Sequence, residues 1–145
     1  ACWMIARRHG RGAAAVLFGT FMLVAWDLLL DPAMSKVTSY WVWGEQGSYY
    51  GMPWMNLVGW GVTGLVLFIL LNQIVPEPQG DPRFAIAVYV INFALPLGFC
   101  IINRYWLSVA LGPLCIGVAY WVLSQRTALW QTRSSRIESF MRNAS

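Results

Sequence analysis

Charged side chains are scarce in this sequence. Asp, Glu, Lys and Arg make up 11% of the 145 residues, against roughly 25% in soluble domains, and hydrophobic residues make up 58%. The single histidine, His9, lies in an arginine-rich terminus, and the three cysteines form no Cys-x-x-Cys or Cys/His spacing. These shortages exclude a soluble domain, and neither a metal centre, a disulfide framework nor a cofactor is expected.

Long apolar runs take the place of charge. A membrane-spanning helix needs about 20 mostly apolar residues, and four segments meet this requirement. They lie at about 13–30, 53–75, 84–102 and 105–124. The sequence therefore predicts an all-α polytopic membrane protein of about four transmembrane helices, with residues 1–145 forming a single domain.

Basic residues predict the orientation of these spans. With four spans, one side of the membrane holds both termini, the 76–83 loop and eight of the ten Lys and Arg residues. Cytoplasmic segments carry the excess of Lys and Arg, so both termini are expected in the cytoplasm. The stretch 125–145 is either a basic amphipathic helix on the membrane surface or a disordered tail. The chain begins with Ala1, so it is expected to be processed or to be part of a longer product.

Two acidic residues interrupt the first span, in the segment WDLLLDPAM (26–34). Asp27 and Asp31 are four residues apart, so a helix places them on one face. Charge inside a bilayer is costly, which makes these acids candidate functional residues. Two alternatives stay open. Asp31 can belong to an Asp-Pro turn in the headgroups, and the pair can be purely structural, held by backbone amides or by Arg104.

Aromatic residues crowd the loop between the first two spans, with Glu45 among them. An aromatic belt at the membrane surface is the simpler interpretation of any one of them, but their density also suits a ligand pocket. On the second span, Asn56, Gly59, Trp60 and Thr63 share a helical face. If that face meets the two aspartates, the candidate substrate-binding residues are Trp26, Trp41, Trp43, Tyr49, Tyr50, Asn56, Gly59, Trp60 and Thr63.

Such a pocket suits acid chemistry on an apolar substrate. Desolvation disfavours a carboxylate anion, and a second carboxylate nearby disfavours it further, so one acid of such a pair can donate a proton at neutral pH. Aromatic faces stabilise a transient cation. The residues therefore predict protonation of an alkene in a long apolar molecule.

The segments AWDLLLDPAM (25–34) and YWVWGEQGSYYGMPWMNLVGW (40–60) resemble a known family. They are similar to bacterial and archaeal carotenoid-biosynthesis membrane proteins, including carotenoid 1,2-hydratases of the bacterioruberin and myxol type. In that family a W-D-L-x-x-D-P-x-M helix end precedes W-x-W and G-x-Y-x-G-x-P-x-x-N-x-x-G-W. The matching positions are Trp26, Asp27, Leu28, Asp31, Pro32, Met34, Trp41, Trp43, Gly47, Tyr49, Gly51, Pro53, Asn56, Gly59 and Trp60.

This resemblance implies addition of water to the terminal C1=C2 bond of an acyclic carotenoid, without a cofactor. Asp27 or Asp31 would be the acid, and Glu45 or the other aspartate would position the water. The implied partners are an acyclic carotenoid or other long apolar ligand and membrane lipid, with no nucleic acid, in the bacterial cytoplasmic membrane. The chain is shorter than is usual for the family, so it is expected to be a fragment or a shortened relative.

Two other functions remain as hypotheses. The first is a non-catalytic subunit of a larger membrane complex, such as a photosynthetic reaction-centre–light-harvesting assembly, whose pocket holds a carotenoid, quinone or lipid tail. Bacteriochlorophyll ligation through histidine is not expected there, because no predicted span contains one. The second is a small transporter, which is less favoured because the other spans carry no charge to continue a polar pathway.

Overall fold

The structure, a computed structural model, describes residues 1–121, and helices dominate this part of the chain. Helix α1 covers Cys2–His9, α2 Ala13–Pro32, α3 Trp54–Ile74, α4 Pro82–Ile102 and α5 Trp106–Trp121. Between residues 1 and 121 there is no strand, only two isolated β-bridges in the loop before α3. The predicted all-α fold is confirmed. The predicted C-terminal tail at 125–145 lies outside the described residues.

Three helices are long and apolar enough to cross a membrane. They are α2 with its extension to Val37, α3 and α4, with mean hydropathies of 2.0, 1.9 and 2.3. Helix α5 is a shorter apolar helix, and the predicted end of its span at 124 lies beyond the described residues. The prediction of a polytopic membrane protein is therefore confirmed.

The first span continues further than the sequence predicted. Helix α2 runs through Pro32 into a π-helical turn at Ala33–Val37. Two hydroxyls accompany this turn, because Ser35 Oγ donates to the Asp31 carbonyl and Thr38 Oγ1 donates to the Met34 carbonyl, at 2.7 and 2.9 Å. Such π-helical turns are frequent at functional sites. This one immediately follows the two aspartates.

The short helix α1 was not predicted. It buries Trp3, Ile5 and Ala6 against the bundle. The Trp3 indole donates to the Val75 carbonyl at the end of α3, at 2.9 Å, and Arg7 pairs with Glu77 at 2.8 Å. Eight residues are too few to form a stable helix alone, so α1 depends on these contacts and on the apolar side chains it buries.

Helix α2 lies at the centre of the bundle and packs against α1, α3 and α4. Helix α3 runs antiparallel to α2, since Gly64 lies opposite Thr20 while Asn56 lies opposite Asp31. A Cβ on Gly64 would lie 3.1 Å from Thr20 Cγ2, which shows how closely the two helices approach. This close contact places the polar residues of α2 and α3 together.

Candidate functional site

The two aspartates lie together at the contact between α2 and α3. Asp27 is 0% exposed and Asp31 is 2% exposed. Asn56, in the first turn of α3, directs its side-chain amide between them. Its Nδ2 donates to Asp31 Oδ2 at 2.5 Å and lies 3.5 Å from Asp27 Oδ2. The amide thus hydrogen-bonds to Asp31 and is at the limit of hydrogen-bonding distance from Asp27, with Met52 Sδ also 3.4 Å from the same nitrogen.

One oxygen of the two aspartates has no hydrogen-bond partner in the described part of the chain. Asp27 Oδ1 is buried and has no hydrogen-bond partner among the described residues. Across residues 1–121 the ion pair found joins Arg7 to Glu77, so no basic side chain in that range compensates the two aspartates. Two buried anions without a cation would be very costly. The geometry therefore favours a carboxyl pair that retains a proton.

A tight turn at residues 47–52 precedes α3 and explains the glycine spacing of the sequence signature. Gly47 N–H donates to the Gly51 carbonyl at 3.0 Å, and Met52 N–H donates to the Tyr49 carbonyl at 2.9 Å. A Cβ on Gly47 would lie 1.7 Å from the Met52 carbonyl oxygen, and Gly51 has a φ of +88°. Both positions therefore require glycine.

This turn places the side chain of Tyr49 against α2 and α5. Its Oη lies 2.8 Å from both the Leu28 carbonyl oxygen and Ser108 Oγ of α5. Burial raises the pKa of Tyr49 to about 12, so its hydroxyl stays protonated at neutral pH and can donate. Sequence analysis missed Ser108, which is fully buried. A lone hydroxyl in the middle of the apolar run after Tyr105 was the available signal.

The neighbouring Tyr50 joins the loop to α5 in a similar way. Its ring centroid lies 5.1 Å from that of Tyr49 and 4.7 Å from that of Tyr105. Its hydroxyl accepts a hydrogen bond from the Leu107 N–H at 3.2 Å. Tyr49 and Tyr50 therefore fasten the loop to the bundle.

The other aromatic candidates occupy different surroundings. Trp26 donates its indole N–H to the Asn92 carbonyl of α4 at 2.9 Å. Trp41 and Trp43 meet edge to face with centroids 6.3 Å apart. Their indole nitrogens are buried and have no hydrogen-bond partner in the described part of the chain. Trp60 is half-buried, one helical turn beyond Asn56.

Three of the candidate residues lie on the exposed surface. Gly59 and Thr63 of α3 are exposed, so they do not share the buried side of Asn56. Glu45 is exposed in the loop. The structure thus brings Asp27, Asp31 and Asn56 together and leaves Glu45 apart from them. Within residues 1–121, no group of three or more His, Cys, Asp or Glu side chains could hold a metal ion.

Fold and site together define an all-α polytopic membrane protein with a buried carboxyl pair at a helix contact. A family profile described as "Carotenoid biosynthesis protein" matches residues 2–119. The chain therefore belongs to the carotenoid biosynthesis protein family, and it is a membrane protein of that family.

A curated relative matches a smaller part of the chain. The bisanhydrobacterioruberin hydratase of Haloarcula japonica is 40% identical over 53 residues, which is 37% of this chain and 17% of that protein. The match therefore spans well under two thirds of the relative. No solved structure matches this chain.

Proposed function

We propose that this protein takes part in the acid-catalysed addition of water to the terminal C1=C2 bond of an acyclic carotenoid. The observation that carries the proposal is the pair of buried carboxyl groups, one of which has an oxygen without a hydrogen-bond partner among residues 1–121. The hydratase named among the relatives supports the same chemistry. Within residues 1–121, no basic side chain pairs with the two aspartates to keep both of them ionised, and this also supports the proposal.

The reaction needs a proton, an alkene and water. Asp27 donates its proton to C2, and the electron pair of the C1=C2 bond forms the new C2–H bond. C1 then carries a tertiary cation, which the oxygen of a water molecule attacks. The water loses a proton to the carboxylate pair, so a tertiary alcohol forms and the acid is restored. No electron leaves or enters the system.

Each neighbouring group has a role in this scheme. Asn56 holds Asp31 beside Asp27, so that the pair can release and recover one proton. Trp60, one turn along α3 from Asn56, supplies an aromatic face for the cation. Asp27 is fully covered by the surrounding chain, so the end of the substrate reaches it only after side chains around Asp27 move aside.

Expression in a lycopene-producing bacterium tests this function. We expect chromatography and mass spectrometry to show a gain of one water per end group. Asp27→Asn should abolish that gain, because the amide cannot donate the proton. Glu77→Gln is the matched control, since it alters a carboxylate that is 67% exposed, and it should leave the pigment pattern unchanged. Membrane fractionation establishes that each variant is inserted.

Two results would contradict the proposal. One is unmodified lycopene from wild-type chain that is present in the membrane. The other is an unchanged yield of hydrated pigment from Asp27→Asn, which would remove the role given to that residue.

A second candidate function is binding of a carotenoid or lipid tail without chemistry. It is favoured by a cavity of about 420 Å³ between α1, α2, α4 and α5. Its walls are almost wholly apolar, and they include Ile5, Phe18, Met22, Tyr89, Phe93 and Tyr120. Purification of the chain with unmodified carotenoid in fixed proportion would support this function over the first.

A further inference from the structure

Asp27 lies between two residues that are each tied to another part of the bundle. Its predecessor, Trp26, binds α4 through its side chain, and its successor, Leu28, binds the loop through its carbonyl group. In both hydrogen bonds the acceptor is a backbone carbonyl oxygen, and in both cases the residue that carries it precedes a proline by four positions. In an α-helix that oxygen normally accepts from the N–H of the residue four positions later, and proline has no N–H to donate.

The first of these carbonyls belongs to Leu28, which precedes Pro32 by four residues. Tyr49 Oη lies 2.8 Å from it and 2.8 Å from Ser108 Oγ. A phenol has one proton and a carbonyl oxygen can only accept, so Tyr49 donates to Leu28 and Ser108 donates to Tyr49. The tyrosine thus replaces the N–H that Pro32 lacks, and the buried Ser108 orients the tyrosine.

The second carbonyl belongs to Asn92, which precedes Pro96 by four residues on α4. The Trp26 indole N–H donates to it at 2.9 Å. Asn92 is exposed on the surface of α4, but α4 is a candidate membrane span, and a carbonyl left open to lipid would be costly because the bilayer core has no water to serve it. The hydrogen bond therefore holds the side chain of Trp26, the residue before Asp27, in a fixed position on α4.

We propose that Tyr49 and Trp26 are positioning residues, which fix the Asp27 carboxyl by holding the helix backbone on either side of it. They act through the proline-opened carbonyls of Leu28 and Asn92 and do not contact the substrate. This differs from the sequence-based expectation that both residues bind substrate. The kinetic part of the proposal rests on the hydratase function proposed above, whereas the structural part does not.

The arrangement gives a test by substitution and repair. Tyr49→Phe removes only the hydroxyl and leaves the Leu28 carbonyl without its donor. Adding Pro32→Ala supplies a backbone N–H at the position from which a helix normally serves that carbonyl. We expect Tyr49→Phe to lower kcat about tenfold with KM unchanged, because a small misplacement of a reacting group is costly. The double variant should recover most of this loss.

Three further variants serve as controls and support. Tyr40→Phe is the matched control, since Tyr40 lies in the same loop and is 79% exposed, and it should have no effect. Ser108→Ala should also reduce kcat, because it removes the group that orients Tyr49, and it changes no residue of the loop that carries Tyr49. Pro32→Ala alone, followed by thermal unfolding in detergent, establishes that the repair substitution leaves the protein folded.

An infrared measurement tests the same inference without turnover. The carboxyl band of Asp27 is identified as the band lost in Asp27→Asn. It should shift or broaden in Tyr49→Phe and return to its wild-type position when Pro32→Ala is added. If the wild-type chain does not hydrate lycopene, the proposed function fails while this measurement still decides the positioning role.

Two outcomes would overturn the inference. One is a rise in KM for Tyr49→Phe that Pro32→Ala does not repair, which would show that the hydroxyl contacts the substrate. The other is an Asp27 band that is the same in the wild type and Tyr49→Phe. The pair Trp26→Phe and Trp26→Phe with Pro96→Ala applies the same test to the second carbonyl.

Discussion

Helices α2 and α3 are almost equally apolar, with mean hydropathies of 2.0 and 1.9, but they differ sharply in their surroundings. Of the apolar stretch of α2, 56% is buried inside the bundle, against 11% of that of α3. One helix is the core of the bundle, and the other presents most of its surface outward. Hydropathy therefore identifies helices that can cross a membrane, but it does not distinguish those that form the interior.

Small residues account for part of the difference. Ala15, Gly19 and Ala25 of α2 are buried, and the ring of Phe68 from α3 lies against Gly19. On α3, a Cβ at Gly59 or Gly61 would meet no atom within 4 Å. A small residue thus indicates a helix contact only where a neighbour is present, which the sequence of one helix does not reveal.

The largest expected effect comes from a matched pair of leucines on the two helices. Leu29 of α2 is 0% exposed and Leu70 of α3 is 47% exposed. Leu29→Ala should lower the free energy of unfolding by about 2 kcal/mol, the low end for buried leucines, because lipid is itself apolar and only packing is lost. Leu70→Ala should have little effect. Unfolding in mixed micelles measures both, and equal losses would contradict the comparison.

A smaller effect is expected from adding volume at two glycines of α3. A Cβ on Gly64 would lie 3.1 Å from Thr20 Cγ2 and 3.3 Å from Leu23 Cδ2, whereas one on Gly61 would meet nothing within 4 Å. Gly64→Val should therefore destabilise the α2–α3 contact by about 1 kcal/mol. Gly61→Val, with the same gain of volume, is the control. A destabilised Gly61→Val would mean that this face of α3 is covered in the membrane.

The smallest effect concerns the end of α3, where α1 is attached. Arg7 is nearly buried, but its partner Glu77 is 67% exposed, so solvent weakens the pair. Glu77→Gln should lower stability by less than about 0.5 kcal/mol, and the difference should fade as salt is added. Thermal unfolding at low and high ionic strength measures it. A large loss that persists in salt would show that this ion pair is a main attachment of α1.

Much of the fold follows from local sequence. The apolar runs that begin near Pro53 and after the 76–83 loop correspond to α3 and α4, because the length of a spanning helix is set by the membrane. Helix α1 could not be predicted in the same way. Its eight residues are helical because Trp3 and Arg7 find partners near the end of α3, which lie far away along the chain.

The candidate site shows the same division. The spacing of Asp27 and Asp31 predicts a shared face, and the structure places both at Asn56. The side of α3 that faces them was less predictable, since Asn56 is turned inward while Gly59 and Thr63 are exposed. The contribution of Ser108 depends on the packing of α5, which no motif near residue 49 encodes.

Pro32 also bears on the order in which the bundle assembles. A span that carries two acids and an unserved carbonyl is poorly suited to lipid on its own, because the bilayer core offers no water to either group. Asn56 and Tyr49 are synthesised after α2, and both supply what it lacks. The later segments of the chain thus supply the hydrogen bonds that water would supply outside the membrane. The first span becomes stable in the membrane only when these segments pack against it.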